Sequence, residues 1–125
     1  MNRRPGMLAI GGALALAGLG CGDRSETRAS IIGGDPERGR LEVARLQCGA
    51  CHVIPGVRAA RGVVGPTLIG FARRPHLAGK WPNHPDRLVA WLRDPPGMAP
   101  HTAMPAVVDD AQSARDIAAY LYTLD

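Results

Sequence analysis

Three residues near the middle of the chain have the types and spacing for covalent binding of a cofactor. Cys48 and Cys51 are separated by two residues, and His52 follows directly. Each thiol of such a pair can add across one vinyl group of haem, and the adjacent imidazole then lies where it can ligate the iron. The spacing predicts one haem c, bound through Cys48 and Cys51, with His52 as an axial ligand.

Two other uses of a Cys-x-x-Cys pair fit the sequence less well. A zinc site needs further ligands, but no second cysteine pair is present, and His76, His84 and His101 lack zinc-finger spacing. A redox-active dithiol is expected within a strand–helix–strand pattern, and none surrounds this pair. Haem attachment is therefore the favoured interpretation.

The elements that must position these residues are predicted to be helices. Three segments combine a helix start signal with apolar residues at helical spacing. They run from Pro36 to about Gln47, from Pro85 to a stop at Pro95-Pro96, and from Asp109 or Asp110 through an apolar stripe that ends at Leu124. Asp35 is the predicted N-cap of the first helix, and Asp109 with Gln112 resembles a capping box. No convincing strand alternation is present, which predicts an all-α fold.

The first twenty residues have the layout of an export signal. Arg3 and Arg4 form a basic start, and Leu8–Leu19 is an apolar run that is short for a membrane-spanning helix. The Arg3-Arg4 pair is not taken as a twin-arginine signal. That route carries folded proteins, whereas covalent haem is normally attached after export. We therefore expect an exported protein on the periplasmic side of the membrane.

Several ways of processing this segment remain open. Residues 15–17 form a small-x-small cleavage signal, whereas residues 19–21 resemble the end of a bacterial lipobox, with Gly18 where leucine is usual. Lipidation would explain Cys21, which is otherwise an odd thiol in an oxidising compartment. This favours a membrane-anchored lipoprotein over a soluble periplasmic protein or an uncleaved anchor. The predicted organisation is a signal at 1–20, a flexible tether at 21–34 and one domain at 35–125.

The charge of the chain gives no sign of nucleic-acid binding. The formal net charge is +4, and without Arg3 and Arg4 the chain has 13 basic and 11 acidic residues. No basic block is present, and aromatic residues make up only 4% of the chain. We therefore expect protein redox partners and no nucleic acid.

The residues that follow the haem motif resemble those of the class I cytochromes c. Gly65-Pro66-Thr67-Leu68 matches the loop after the haem-binding site, and Trp91 to Pro95, followed nine residues later by Met104-Pro105, matches the family's spacing. The resemblance implies three main helices and loops wrapped around one covalently bound haem. It also implies that the Pro66 carbonyl accepts a hydrogen bond from His52 and that Met104 is the second axial ligand. Met98 is the competing methionine, but it lacks the following proline.

The middle of the chain narrows the resemblance. Residues 78–83 (Ala-Gly-Lys-Trp-Pro-Asn), together with the later Asp94-Pro95, look like the cytochrome c domain of caa3-type oxidase subunit II. This implies an electron carrier with a haem–copper oxidase as acceptor and a cytochrome bc1-type complex as donor. The alternative function is a haem subunit of a periplasmic redox enzyme, such as a peroxidase or a sulfur- or nitrogen-oxidising complex, which would need an open iron site.

The resemblance implies further cofactor contacts. Arg74, or its neighbour Arg73, stands where the family often has an arginine on a haem propionate. The other implied cofactor contacts are Trp81 and Asn83 on the propionate side and Trp91 against the haem. It also implies that Tyr120 packs where the last helix crosses the first near Gly39. The chain departs from the family pattern near Glu42, where an aliphatic residue is usual, and at Val43, where phenylalanine is usual, so the resemblance does not imply how the first helix packs.

Overall fold

The computed structural model of the protein describes residues 33–125, so the predicted signal, most of the tether and Cys21 lie outside the described residues. Four helices dominate this part of the chain. They are α1 (Pro36–Arg45), α2 (Pro85–Arg93), α3 (Pro95–Met98) and α4 (Ala111–Leu121), with β1 (His76–Leu77) and β2 (Trp81–Pro82) between α1 and α2. Two further segments, Cys48–Ala50 and Phe71–Arg73, form single 3-10 turns. The prediction of a helical fold is confirmed.

Helix α1 starts where the sequence predicted and ends two residues earlier. The Asp35 side chain accepts a hydrogen bond from the Arg38 N–H at 2.9 Å, and Pro36 occupies the first turn, where its missing N–H is not needed. The helix stops just short of the predicted end at about Gln47, and Gln47 itself has a left-handed backbone with φ 58°. That conformation ends the helix and turns the chain directly into Cys48.

The Pro95-Pro96 pair ends α2 and also begins a new helical turn. Helix α2 ends at Arg93, and the Asp94 side chain then accepts a hydrogen bond from the Gly97 N–H at 2.9 Å to cap α3. Proline is tolerated at the first positions of a helix, so both prolines fit there. The sequence predicted only the stop.

Helix α4 begins one residue later than the capping-box interpretation required. The cap is Asp110, whose side chain accepts from the Ser113 N–H at 2.6 Å. The Asp109–Gln112 box is therefore wrong. The Gln112 amide donates instead to the carboxylate of Asp116 at 2.9 Å, one turn further along the helix.

A two-residue antiparallel ladder joins β1 and β2 and pairs Leu77 with Trp81. Two residues per strand are too few to produce the alternation by which a strand is recognised in a sequence. The ladder closes a short turn that carries Lys80 and leads into α2.

Helices α1 and α4 cross with direct backbone contact. A Cβ atom on Gly39 would lie 1.9 Å from the carbonyl oxygen of Asp116 and 2.9 Å from the nitrogen of Ile117. Only glycine permits this approach. The predicted neighbour, Tyr120, lies one turn further along α4, where its hydroxyl donates to the carbonyl of Pro55.

A buried carboxylate reinforces the same crossing. Asp116 is only 4% exposed, and it accepts hydrogen bonds from the Asp35 N–H at 2.8 Å and from the Arg38 guanidinium at 2.9 and 3.1 Å. Burial alone would raise the pKa of Asp116, but the hydrogen bonds outweigh it and lower the pKa below its ordinary value. The start of the domain is therefore fastened to its last helix.

The core lies between α1, α2 and α4, and it includes buried residues from the segment that joins α1 to α2. Its largest fully buried side chains include Leu88, Ile117 and Val43. Val43, 1% exposed, fills the α1 position where the resemblance suggested phenylalanine. No helix within residues 33–125 is long and apolar enough to cross a membrane.

Candidate haem site

A single large cavity brings together the residues that the sequence selected for chemistry. Its volume is about 780 Å³, within the range of protein cofactor pockets. Cys48, Cys51, His52 and Met104 all line it. Two thiols, an imidazole and a thioether from segments about 50 residues apart thus share one space.

The imidazole of His52 is oriented by one hydrogen bond. Its Nδ1 lies 2.7 Å from the carbonyl oxygen of Pro66. A carbonyl can only accept, so Nδ1 carries a proton, and in the neutral ring Nε2 is then the nitrogen with the lone pair. The hydrogen bond to Pro66 thus leaves His52 with one nitrogen suited to binding a metal, and it strengthens that nitrogen as a donor.

Gly65 makes room for the imidazole. A Cβ atom at this position would lie 2.3 Å from Cε1 and 2.7 Å from Nδ1 of His52. Any other residue would push the ring away from the Pro66 carbonyl. Sequence reasoning included Gly65 only as part of a loop motif. Its position directly before Pro66 is the one local signal of its role.

The turn that carries the cysteines is fixed by the segment that returns beneath it. The Gly62 N–H donates to the Gly49 carbonyl at 3.0 Å, and the Gly65 N–H donates to the Cys51 carbonyl at 2.8 Å. A Cβ on Gly62 would lie 2.3 Å from the Ala50 carbonyl oxygen, so the two segments are in close backbone contact. The turn is therefore held at the cavity wall.

The environment of Cys48 differs from that of a redox-active dithiol. Burial raises the pKa of the Cys48 thiol, which packs against the apolar core. Catalytic Cys-x-x-Cys pairs need a lowered thiol pKa, because the thiolate is the nucleophile. Cys48 is therefore not the activated thiol of such a pair.

The two methionines near the cavity occupy different places. Met104 is half-buried, packs against the core and lines the cavity. Met98 is the last residue of α3 and does not line the cavity. Met104 is thus the methionine whose thioether can share a ligand with His52.

The remaining predicted contacts divide into two groups. Trp91 and Arg74 line the cavity, and Trp91 also packs against the core. Trp81 and Asn83 do not line it. Arg73, the alternative to Arg74, is exposed and lies 3.9 Å from the Asp125 carboxylate.

Trp81 has an unusual environment outside the cavity wall. Its Nε1 is buried, and no described residue accepts a hydrogen bond from it. The Lys80 ammonium lies 5.0 Å and the Arg87 guanidinium 5.2 Å from the centre of its ring, which is cation–π distance. A buried donor beside two cations suits an anionic group such as a haem carboxylate.

The cavity wall is apolar with a cationic edge. Arg74 and Lys80 line it, whereas none of the acidic residues within 33–125 does. Exposed apolar residues, among them Val64 and Val107, reach its mouth. Most of the apolar residues that line the cavity were not among the cofactor contacts predicted from the sequence. They include Leu46, Ile54, Leu68, Phe71, Leu77, Leu88, Leu92, Ile117 and Leu121. The residues present fit a large apolar cofactor with charged edges.

Two curated proteins resemble the chain. It is 32% identical over 88 residues to cytochrome c oxidase subunit 2 of Alkalihalophilus pseudofirmus, a match that covers 70% of this chain and 25% of that protein. It is 28% identical over 100 residues to cytochrome c-552 of Bradyrhizobium diazoefficiens, which covers 80% of this chain and 85% of that protein. The chain thus spans about a quarter of the oxidase subunit and most of the cytochrome. No protein-family model matches it.

Three findings indicate the same class of protein. They are the helical fold, the Cys-x-x-Cys-His turn at the cavity and the two relatives. Both relatives support a c-type cytochrome. The relatives support haem as its cofactor and electron carriage as its general role.

Proposed function

We propose that the protein is a monohaem c-type cytochrome that transfers single electrons in a bacterial respiratory chain. The observation that carries the proposal is that Cys48, Cys51, His52 and Met104 line one cavity, and that a hydrogen bond to Pro66 orients the imidazole of His52. When bound there, haem would supply a one-electron iron couple. No general acid, base or nucleophile is required of the protein.

Covalent attachment is assigned to the two cysteines of the motif. Each thiol would add across one vinyl group of haem, so that the sulfur would exchange its bond to hydrogen for a bond to carbon and the proton would go to the neighbouring vinyl carbon. Cys48→Ser or Cys51→Ser should leave haem that is extractable by acid acetone or has an altered haemochrome spectrum in pyridine. Cys21→Ser is the control and should retain covalent haem. Extractable haem in the unmodified protein would contradict the assignment.

Axial ligation is assigned to His52 and Met104. A neutral, soft thioether favours ferrous iron and closes the site to substrates. The oxidised protein should show a far-red methionine–iron absorption band, which Met104→Leu should abolish and Met98→Leu should leave. Tight binding of cyanide or carbon monoxide by the unmodified protein at neutral pH would indicate an open site and favour a haem enzyme.

Four further residues are assigned to the cofactor's surroundings. Trp91 supplies an aromatic face on the cavity wall, and Arg74 supplies one of its two cations. The buried, unpartnered Nε1 of Trp81 is assigned as a donor to a propionate. Asn83 is assigned an indirect role at the propionate edge of the cofactor. Its side-chain amide does not line the cavity but donates to the backbone carbonyls of Phe71 and Arg74.

The proposed partners are a haem–copper oxidase as acceptor and a bc1-type complex as donor. One relative is an oxidase subunit, and exposed Val64 and Val107 give the cavity mouth an apolar surface on which a protein could dock. Membranes that contain such an oxidase should oxidise the reduced protein rapidly, and cyanide should stop this. Equal oxidation rates with and without cyanide would contradict the acceptor.

Export and anchoring are proposed from residues 1–34. The domain starting at Asp35 would be tethered through 21–34, with Cys21 carrying lipid after removal of residues 1–20. Fractionation of cells that express the unmodified chain or Cys21→Ser tests this. Release of only the variant into the soluble fraction is expected, and equal distribution of both would refute the lipid anchor.

A further inference from the structure

The loop that orients His52 is itself held by the side chain of Arg74. One terminal guanidinium nitrogen of Arg74 donates to the carbonyl of Thr67 and, at 3.2 Å, to that of Ile69. Thr67 directly follows Pro66, whose carbonyl accepts from His52. The guanidinium therefore fixes the backbone immediately beyond the carbonyl on which the imidazole depends.

Asn83 holds the turn that carries Arg74. Its side-chain amide donates to the backbone carbonyls of Arg74 at 3.0 Å and Phe71 at 3.2 Å. Its carbonyl oxygen accepts from the Tyr122 hydroxyl at 2.9 Å. Every polar atom of the Asn83 side chain is therefore used within the protein.

These contacts form a continuous path from the C-terminal end of the chain to the imidazole. It runs from Tyr122 through Asn83, the turn at 71–74 and the Arg74 side chain to the loop that carries Pro66. We propose that Arg74 and Asn83 are positioning residues for His52, acting through the Pro66 carbonyl. The inference rests on the proposed function, because it matters only where His52 ligates iron.

The physical reason lies in the geometry of the single bond that orients the ring. A hydrogen bond weakens steeply as its angle and distance depart from ideal values, and Pro66 presents only one carbonyl. Arginine is suited to holding the adjacent loop because its rigid, planar head can bind two carbonyls at once. Without it, the segment at 66–69 loses a crosslink, and the imidazole N–H opens to water more often.

The test measures the solvent exchange rate of the His52 Nδ1 proton by NMR in the reduced, haem-loaded full chain. Arg74→Gln removes the crosslink, and Asn83→Asp keeps the acceptor for Tyr122 but loses both donors. A lost hydrogen bond of about 1 kcal/mol predicts roughly fivefold faster exchange in either variant. Arg93→Gln, an exposed arginine at the end of α2, is the matched control and should leave the rate unchanged.

The same spectra separate positioning from general stability. If the two residues only stabilise the fold, the buried backbone amides of α4 will exchange faster by the same factor as the His52 ring, and the proposal is overturned. It is also overturned if Arg74→Gln leaves the ring proton unchanged and alters only the pH dependence of the reduction potential, because that result indicates a direct propionate contact. Selective acceleration at His52 supports it.

Failure of the underlying function gives a different result. An unmodified protein without low-spin, histidine-ligated iron would overturn the proposed function, and the positioning role with it, before any variant is compared. Uniform ring exchange among variants of a normally ligated cytochrome would overturn the positioning role alone.

Discussion

The two sides of the cavity are held in different ways. The histidine side, residues 48–74, is crosslinked within itself by backbone hydrogen bonds such as Leu68 N–H to Val53 at 2.8 Å, and it is tied to the end of the domain by Ala72 N–H to Leu124 at 2.9 Å. The methionine side, residues 99–109, has no regular secondary structure. The hydrogen bonds donated by its backbone N–H groups are local. The Thr102 N–H donates to the Ala99 carbonyl at 2.9 Å, and the Met104 N–H donates to the Thr102 hydroxyl at 3.2 Å.

This difference assigns the two ligands different tasks. The histidine side is preorganised, since glycine contacts and hydrogen bonds determine where His52 can lie. Met104 is presented by a loop in which no described hydrogen bond reaches a distant segment. We therefore expect substitutions on the histidine side to cause loss of haem. Substitutions on the methionine side should only open the iron to added ligands.

The largest expected effect comes from Gly65→Ala, which breaks the histidine side directly. The new methyl group would lie 2.3 Å from the ring of His52, so the ring must leave the Pro66 carbonyl. We expect loss of most low-spin haem, measured by the absorption and EPR spectra of the oxidised protein.

Gly79→Ala is the matched control for this prediction. Gly79 also lines the cavity, but a Cβ there would meet nothing within 4 Å. Its φ of +67° makes alanine cost about 1 kcal/mol of stability without touching a ligand. Normal ligation in both variants would show that the close approach at Gly65 does not determine the position of His52.

The second prediction concerns the α1–α4 crossing, from which the chain enters the histidine side. Asp116→Ala removes a buried carboxylate that accepts from Asp35, Arg38 and Gln112. This substitution breaks hydrogen bonds to three residues at a buried crossing and should lower the free energy of unfolding by about 2–4 kcal/mol at neutral pH. Urea unfolding followed by circular dichroism measures this.

The pH dependence of stability has a defined sign. Since the folded-state pKa of Asp116 lies below its ordinary value, its contribution is complete above pH about 4 and is lost as pH falls through the folded-state pKa. Asp116→Ala should therefore lose less stability than the unmodified protein on acidification. Asp109→Ala, at an exposed carboxylate just before α4, is the control. Equal acid sensitivity of Asp116→Ala and the unmodified protein would contradict the assignment.

The sequence predicted those parts of the structure that depend on local signals. Pro36 and Pro85 mark helix starts because proline fits the first turn, and Cys48, Cys51 and His52 are contiguous enough to be recognised. The start of α4 was predicted at Asp109 or Asp110, and Asp110 is the residue that caps it. Each of these features depends on residues that are close together in the sequence, so it can be recognised without the folded structure.

The missed features depend on contacts that side chains and loops make only after the chain has folded. Asn83 and Arg74 were selected as cofactor contacts, yet the amide of Asn83 binds carbonyls at 71 and 74, and the guanidinium of Arg74 binds those at 67 and 69. The buried position of Asp116 and the closeness of Gly65 to His52 have the same origin. No periodicity or composition encodes which carbonyl a side chain will reach after folding.

The smallest expected effect compares two threonines, one on each side of the cavity. The Thr102 hydroxyl accepts from Met104 N–H at 3.2 Å, and the Thr67 hydroxyl accepts from Ile69 N–H at 3.4 Å. Thr102→Val removes one of the few hydrogen bonds that order the methionine loop. A neutral bond of about 0.5–1 kcal/mol then predicts twofold to fivefold tighter binding of imidazole in place of Met104.

Thr67→Val is the histidine-side counterpart and should change imidazole affinity little, because Arg74 and the Leu68–Val53 bond still hold its backbone. Loss of the far-red band during titration of the oxidised protein gives the dissociation constant of imidazole for each variant. Equal tightening in both variants would mean that the two sides are equally rigid. A response confined to Thr102→Val would show that closure of the iron depends on a few local bonds, while attachment depends on the framework behind His52.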